Sequence, residues 1–440
     1  MSKSLPLHLS DRIPLEVFED IVDYMPISTL LDAVLVCRAW HSRASRRLYS
    51  TVVIKSRTQY DLLVEQSRTS PRVKQWLTTT RDLIVLCSYN SKREGITFLN
   101  SLPLVFAHTL PALRVLDIRR MLCYNMHPTF YHALRCFTHI MSLRLDDAVL
   151  GNVAQLRRIV CAFPHLEDLA LDRVTFRQPR YVSSRPPYWT DTPLRPQSNT
   201  RLKVLTISAH PNAGSDSFIS QANWLVTSAL CVSLRNLVVR FLCKDDPYLK
   251  LACEQVDRLL GASGTSLTSF HRIYDFWHGY PPARFSLIHN TALRTLKLDL
   301  NIHLNRPDAN WRAVATELHA TLSTVRSSQI EHITIDTMIY FTLGRLPADR
   351  EDCIPSCGEL EADLRSMHDV MVTPYFDGLK DVGVKVKIWH DRRRSADWAD
   401  DIARATVPVF CQFLRPWHKR GLVDISYTTW GGLTTIGSWP

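Results

Sequence analysis

Two hydrophobic rhythms run along the chain. The first occupies its N-terminal part. Behind Pro14, the apolar residues Val17, Phe18, Ile21, Val22 and Met25 return at helical spacing and form one stripe, with Asp20 and Asp23 off it. Pro14 suits a first helical turn, where its missing N–H has no bond to lose. Pro26 ends this helix, because the residue before a proline avoids helical backbone. Thr29, with Asp32 three residues on, is expected to cap a second helix whose apolar face is Leu30, Leu31, Val34 and Leu35. A third helical segment runs from Arg38 to Leu48, with Trp40, Ala44 and Leu48 on one side and Arg43, Arg46 and Arg47 on the other. So small a set of helices needs a partner, or the rest of the chain, to be stable.

The second rhythm is the unit L-x-x-L-x-L with aliphatic exchanges. Its copies start at Leu113, Ile140, Leu166, Leu202, Leu234, Leu293 and Ile330, with weaker copies at Leu267 and Leu379, and their spacing is uneven. The last two apolar positions of each copy alternate as a short strand that buries one face. The first packs where the chain enters that strand. Helix-period segments lie between copies: Phe130, Leu134 and Phe137; Val153, Leu156, Val160 and Phe163; Trp311, Val314, Leu318, Leu322 and Val325. Strand and helix in alternation predict parallel strands with helices behind them. Residues 51–75 read as a junction, with a short strand at Thr51–Lys55 and a helical piece at Tyr60–Gln66. Trp398–Leu414 is expected as a terminal helix that Pro408 starts or kinks, Leu422–Tyr427 as a last strand, and residues 431–440 as a tail. Long spacings in a repeat array mark loops. Three are expected: Arg177–Thr200, rich in Pro, Arg and Ser; the aromatic stretch Tyr274–Pro282; and the acidic stretch Asp349–Asp363.

Both rhythms carry a resemblance. The order Ile13-Pro14-Leu15-Glu16-Val17, then Ile21, Leu30, Val36-Cys37-Arg38 and Trp40, resembles the F-box family. That family typically shows a Leu-Pro-x-Glu start and a Val-Cys-Lys/Arg-x-Trp end. Ile13 and Arg38 replace the usual Leu and Lys and keep the chemistry. The later pattern resembles leucine-rich repeats, without a dependable Asn or Cys column after the strand and without regular spacing. An F-box followed by such repeats is a familiar pairing, and the chain resembles fungal F-box proteins built this way. The implied fold is α/β: a three-helix F-box over residues 10–50, the junction 51–75, and an irregular leucine-rich-repeat-like solenoid over residues 76–430 with parallel strands and outer helices.

The resemblance implies a role as well. The N-terminal segment would bind a Skp-type adaptor and, through it, the cullin and RING subunits of a ubiquitin ligase, with Pro14, Leu15, Val17, Ile21, Leu30, Cys37 and Trp40 at the interface. The repeats would hold a protein substrate, so the chain would supply proximity and orientation and not a nucleophile. The residues between or just before the inward positions would line the concave face: Arg144, Asp168, Thr206, Lys297 and Thr334. Tyr188 and Trp189 in the long loop join them, since Arg, Tyr and Trp dominate binding hot spots. A second reading keeps the repeats as a non-degradative scaffold for an acidic protein or a nucleic acid, with the N-terminal helices as a cap.

Composition narrows these readings. The chain of 440 residues is 45% hydrophobic, as folded globular chains are, and longer than one ordinary domain. Met1–Asp11 has no long apolar core of the signal-peptide kind, no apolar run is long enough to span a bilayer, and no Asn-x-Ser/Thr acceptor occurs. A cytoplasmic or nuclear location without a membrane partner is therefore expected. Eleven scattered cysteines fit reduced, mostly buried thiols. Cys353-x-x-x-Cys357 with His368 lacks a fourth ligand, so no metal site is expected. The net charge of +11 is spread thinly, with short knots such as Arg392–Arg394 and no basic recognition helix. It points to acidic partners more than to nucleic acid. No phosphate loop, dinucleotide fingerprint, serine elbow or zinc-protease helix is present, and the chain holds only 14 glycines. No catalytic residue, cofactor or enzymatic activity is expected.

Overall fold

A computed structural model describes residues 14–87, 94–122, 126–177, 200–210, 215–242, 246–274, 285–303, 307–340, 361–389, 396–430 and 436–439. The chain divides into two compact units: residues 1–166 with 177–185, and residues 167–176 with 186–440.

The first unit opens with three helices, α1 (Leu15–Tyr24), α2 (Ile27–Val36) and α3 (Arg38–Leu48). Each break between them is dictated locally. Met25, held extended before Pro26, stops α1. Cys37, at φ −160° and ψ 169°, separates α2 from α3. Thr29 does not cap α2: the helix starts two residues earlier, at Ile27, because extended Pro26 already sets the entry. The chain then enters β1 (Thr51–Ile54), α4 (Arg57–Thr69), α5 (Pro71–Leu77) and β2 (Asp82–Leu86). Ser56 and Ser70 cap α4 and α5 by accepting from Gln59 N and Val73 N. β1 pairs in parallel with β2, so the junction segment contributes the first strand of this unit's sheet. After α6 (Glu94–Phe106), β3 (Val115–Arg119) and β4 (Ser142–Asp146) extend it in parallel, with α7 (Pro128–Leu134) between them. β5 (Val149–Leu150) and α8 (Val153–Val160) follow.

The second unit carries β6 (Asp168–Asp172), β7 (Thr175–Phe176), β8 (Val204–Ala209), α9 (Ser215–Thr227), β9 (Asn236–Phe241), α10 (Asp246–Ser263) and β10 (Ser269–Tyr274). β11 (Thr295–His303), α11 (Pro307–Leu322), β12 (His332–Tyr340) and α12 (Glu361–Met371) come next. It ends with β13 (Asp381–Trp389), α13 (Ala396–Phe413), α14 (Arg415–Lys419), β14 (Val423–Trp430) and β15 (Ile436–Trp439). From β6 through β14, omitting β7, each strand pairs in parallel with the next in chain order. That order fits a solenoid-like α/β arrangement with no closed barrel. Residues 436–439, expected within a tail, instead pair antiparallel with β14 and cover its free edge. α13 contains Pro408 within its span.

The L-x-x-L-x-L copies explain the register. Leu116 lies opposite Leu143 in the first unit. In the second, Leu169, Leu205, Leu237, Phe270, Leu296, Ile333 and Val382 form one continuous row across neighbouring strands. All of these side chains are buried, as are the leading residues from Leu113 to Leu379 of every copy. A one-residue slip would turn the whole row to water, so the pattern specifies the pairing. Three copies leave their strand through a left-handed residue at the same place: Arg120 (φ 57°), Asp147 (φ 54°) and Arg173 (φ 50°). Large aromatics fill the space under the second unit's strands: Trp311 stacks edge-on against Phe410 and Phe413, at 5.9 Å each. The buried thiols of Cys87 and Cys231 are both pushed up to about 12 by burial, so they pack as small apolar side chains. Cys37 and Cys136, by contrast, are exposed.

The expected loops at 177–200 and 274–282 lie almost wholly outside the described residues, as do Cys353, Cys357 and residues 349–360. Glu361–Asp363, expected at the end of the acidic loop, begin α12. Among the described residues, no cluster of His, Cys, Asp and Glu has the geometry of a metal site, and no helix is long and apolar enough to cross a membrane.

Candidate functional site

The three N-terminal helices have a very small interior. Val22, Leu30, Ala33 and Ala44 are fully buried, and Met25, Val34, Trp40 and Leu48 pack around them. The Trp40 ring sits 6.0 Å from that of Phe18. His41 Nδ1 donates to the Val34 carbonyl at 3.1 Å and ties α3 to the end of α2. On the polar side, Arg43 Nε donates to Asp23 Oδ1 at 2.9 Å, and a second nitrogen of the fork bonds the other Asp23 oxygen. Glu19 lies 3.7 Å from the same guanidinium. The Arg43 bond holds the Asp23 carboxyl below the usual carboxylate range, and Asp23 in turn raises Arg43. Both groups are partly exposed, so this pair orients α1 on α3 more than it stabilises them.

What the interior leaves outside is more informative. Val17 and Ile21 are 45% and 44% exposed, and Tyr24 on the same helix face is 90% exposed. On α2, Ile27, Leu31, Leu35 and Val36 are open to solvent, Leu35 at 83%. Half of the exposed large apolar side chains among the described residues lie on these two short helices. α2 is apolar nearly all round, yet buries only Leu30 and Ala33. A helix apolar on every side belongs inside something larger. Exposed large apolar side chains gathered on two short helices in this way mark a protein-binding surface.

The seven expected interface residues divide. Pro14, Val17, Ile21 and Cys37 are exposed on the helical module. Trp40 is half-buried against the interior, and Leu30 is fully buried within it. Leu15 begins α1. Sequence reasoning passed over Tyr24, Ile27, Leu31, Leu35 and Val36 as surface residues. Their signal was present: α2 has more apolar residues than one helix face can hold.

The open sheet face of the second unit gathers polar side chains. Thr206, Lys297 and Thr334 fall in one register row, through Val238 and His271, and Asp168 precedes that row by two residues on the same face. Beside them lies a charge network that the sequence pattern does not announce. Lys297 and Lys387 reach Asp336 at 3.1 and 3.4 Å, His271 lies 3.2 Å from Asp299, and Arg240 donates to Asp172 at 2.9 Å. Its three carboxylates share a strand face with expected residues: Asp172 stands four positions after Asp168, Asp299 two after Lys297 and Asp336 two after Thr334. Arg144 is exposed on β4 in the first unit's sheet, opposite Asp117. Tyr188 and Trp189 lie outside the described residues.

The F-box-like family model matches residues 10–55, the stretch that holds α1–α3 and β1. The chain therefore carries an F-box-like domain. The match does not extend into the later strands. No curated protein matches the chain.

Proposed function

We propose that the chain is a substrate-recognition subunit of an SCF-type cullin–RING ubiquitin ligase. An F-box-like domain supports a general adaptor-binding role, and the exposed apolar face of α1 and α2 carries the reading further. Val17, Ile21, Leu31 and Leu35 need a partner that buries them, and a Skp-type adaptor fits that need. In this reading the open sheet face around Thr206, Lys297, Thr334 and Asp336 receives a protein substrate. The chain contributes proximity, while a separate subunit performs the transfer.

The test is capture of a purified Skp-type adaptor by the full chain at moderate salt. One-to-one binding is expected. Leu35→Glu places a charge among the exposed apolar side chains of α2 and removes no interior contact; it should lower affinity roughly tenfold or more. Absence of binding by the folded wild-type chain sinks the proposal. Unchanged binding by Leu35→Glu moves the interface elsewhere.

A further inference from the structure

A cleft of about 740 Å³ opens within the first unit, between the end of α3 and the turns flanking α5 and β2. Four guanidiniums line it, from Arg43, Arg46, Arg47 and Arg81, against the two carboxylates of Asp23 and Asp82. Both carboxylates are already engaged. Asp23 holds Arg43, and Asp82 accepts from Thr51 Oγ1 at 3.1 Å. Among the described residues, Arg46, Arg47 and Arg81 have no carboxylate within ion-pair distance, although Arg47 acts on Asp23 through space.

The gathering is imposed by the fold. Arg46 and Arg47 sit in the last turn of α3, where the helix dipole favours cations. Arg81 arrives from a distant part of the chain. Its backbone N donates to Ser50 O at 2.8 Å, and Asp82 N donates to the same oxygen at 3.1 Å, which locks Arg81 beside the end of α3. A merely solvated basic face would spread its charges, whereas this one converges them in a concavity. With four guanidiniums against the two carboxylates, the lining keeps an excess of positive charge that an anion would offset.

The cleft is independent of the apolar face. Val17, Ile21 and Tyr24 recur at four and three residues along one side of α1, whereas Asp23 and Glu19 share the opposite side and face Arg43. A partner docked on the apolar side leaves the cleft open.

We infer that this cleft binds an acidic peptide segment of a protein partner, through Arg46, Arg47 and Arg81. Guanidinium forks take carboxylates in paired hydrogen bonds. The cleft is open to solvent along Arg46, Arg47 and Arg81, so a chain segment can pass through it. No aromatic side chain lines it, so it offers no stacking platform for single-stranded nucleic acid.

The test is fluorescence anisotropy of labelled decaglutamate with the full chain. Saturable binding that weakens with salt is expected. Arg46→Glu and Arg81→Glu should each lower affinity roughly tenfold, the size of one lost charge-assisted hydrogen bond. Lys419→Glu, the same charge change on an exposed residue of α14, should leave binding intact. Arg81→Gln serves if the glutamate variant fails to fold. Equal loss with Lys419→Glu would show diffuse charge attraction and overturn the site. So would displacement of the peptide by inorganic phosphate at constant ionic strength, which marks a free-anion site. Tighter binding of an RNA oligonucleotide that responds to the same arginine variants would also overturn it.

Discussion

Trp40 stands at a motif position that also packs against the helices' own interior. Its place in the N-terminal pattern assigns it to a partner surface, and its half-buried ring leans on Phe18 and on the interior formed by Val22, Leu30, Ala33 and Ala44. Two of those four interior residues are alanines, so the aromatic ring supplies much of the apolar mass that holds the helices together. Trp40→Ala should therefore cost about 2–4 kcal/mol, toward the low end for an aromatic truncation because the ring is only half-buried. Adaptor binding should fall together with helical circular dichroism and thermal stability of the N-terminal segment. Binding lost with both signals intact would return Trp40 to the interface. Leu30 belongs with Trp40, whereas Leu31 and Leu35, one and five positions on, face water. The spacing of apolar residues locates the helix. It cannot say which side is interior when two sides are apolar, because that choice rests on what α1 and α3 pack against.

At the scale of elements, the strands whose two inward positions are both aliphatic were legible, and the exceptions have physical causes. β2 (DLIVL) lacks the leading leucine, and β15 is four residues with one glycine, so neither announces itself. The copy at Leu267 is weak because its second inward position is Arg272, a residue that normally reads as outward. In the structure Arg272 is fully buried, its guanidinium 2.7 Å from Glu317 of α11 and over the rings of Tyr274 and Phe285 at 4.9 and 5.6 Å. Burial pushes the Glu317 carboxyl up, and Arg272 pulls it back. Such a pair costs desolvation that its attraction repays only while both partners remain. Glu317→Ala should destabilise the second unit by about 3–5 kcal/mol, because it strands a buried cation. The double variant Arg272→Met with Glu317→Leu should sit near the wild type in thermal denaturation. A double variant as unstable as Glu317→Ala alone would mean that the ion pair contributes net stability.

For the whole molecule, the question is whether the F-box-like domain is a separable part. Its interior is too small for independence. The end of its last helix is also tied to the turn before β2: Thr80 Oγ1 donates to Tyr49 O at 2.8 Å, and Ser50 O accepts from both Arg81 N and Asp82 N. β1, which begins immediately after, finds its parallel partner β2 only beyond α4 and α5. A fragment of residues 1–55 keeps the three helices and loses every one of these ties. It also keeps the exposed apolar face of α1 and α2, which then has no counterweight against collapse or association. The fragment should show weak helical circular dichroism and a non-cooperative thermal transition alone, and gain a cooperative one when co-expressed with a Skp-type adaptor. A fragment extended to residue 122 restores β2 and β3 and should melt cooperatively without any partner. If residues 1–55 alone melt cooperatively, the four-residue interior suffices, and the contacts at Tyr49 and Ser50 serve only to aim the domain. If the extended fragment stays unfolded until adaptor is present, the apolar face is part of the folding core and the adaptor completes it.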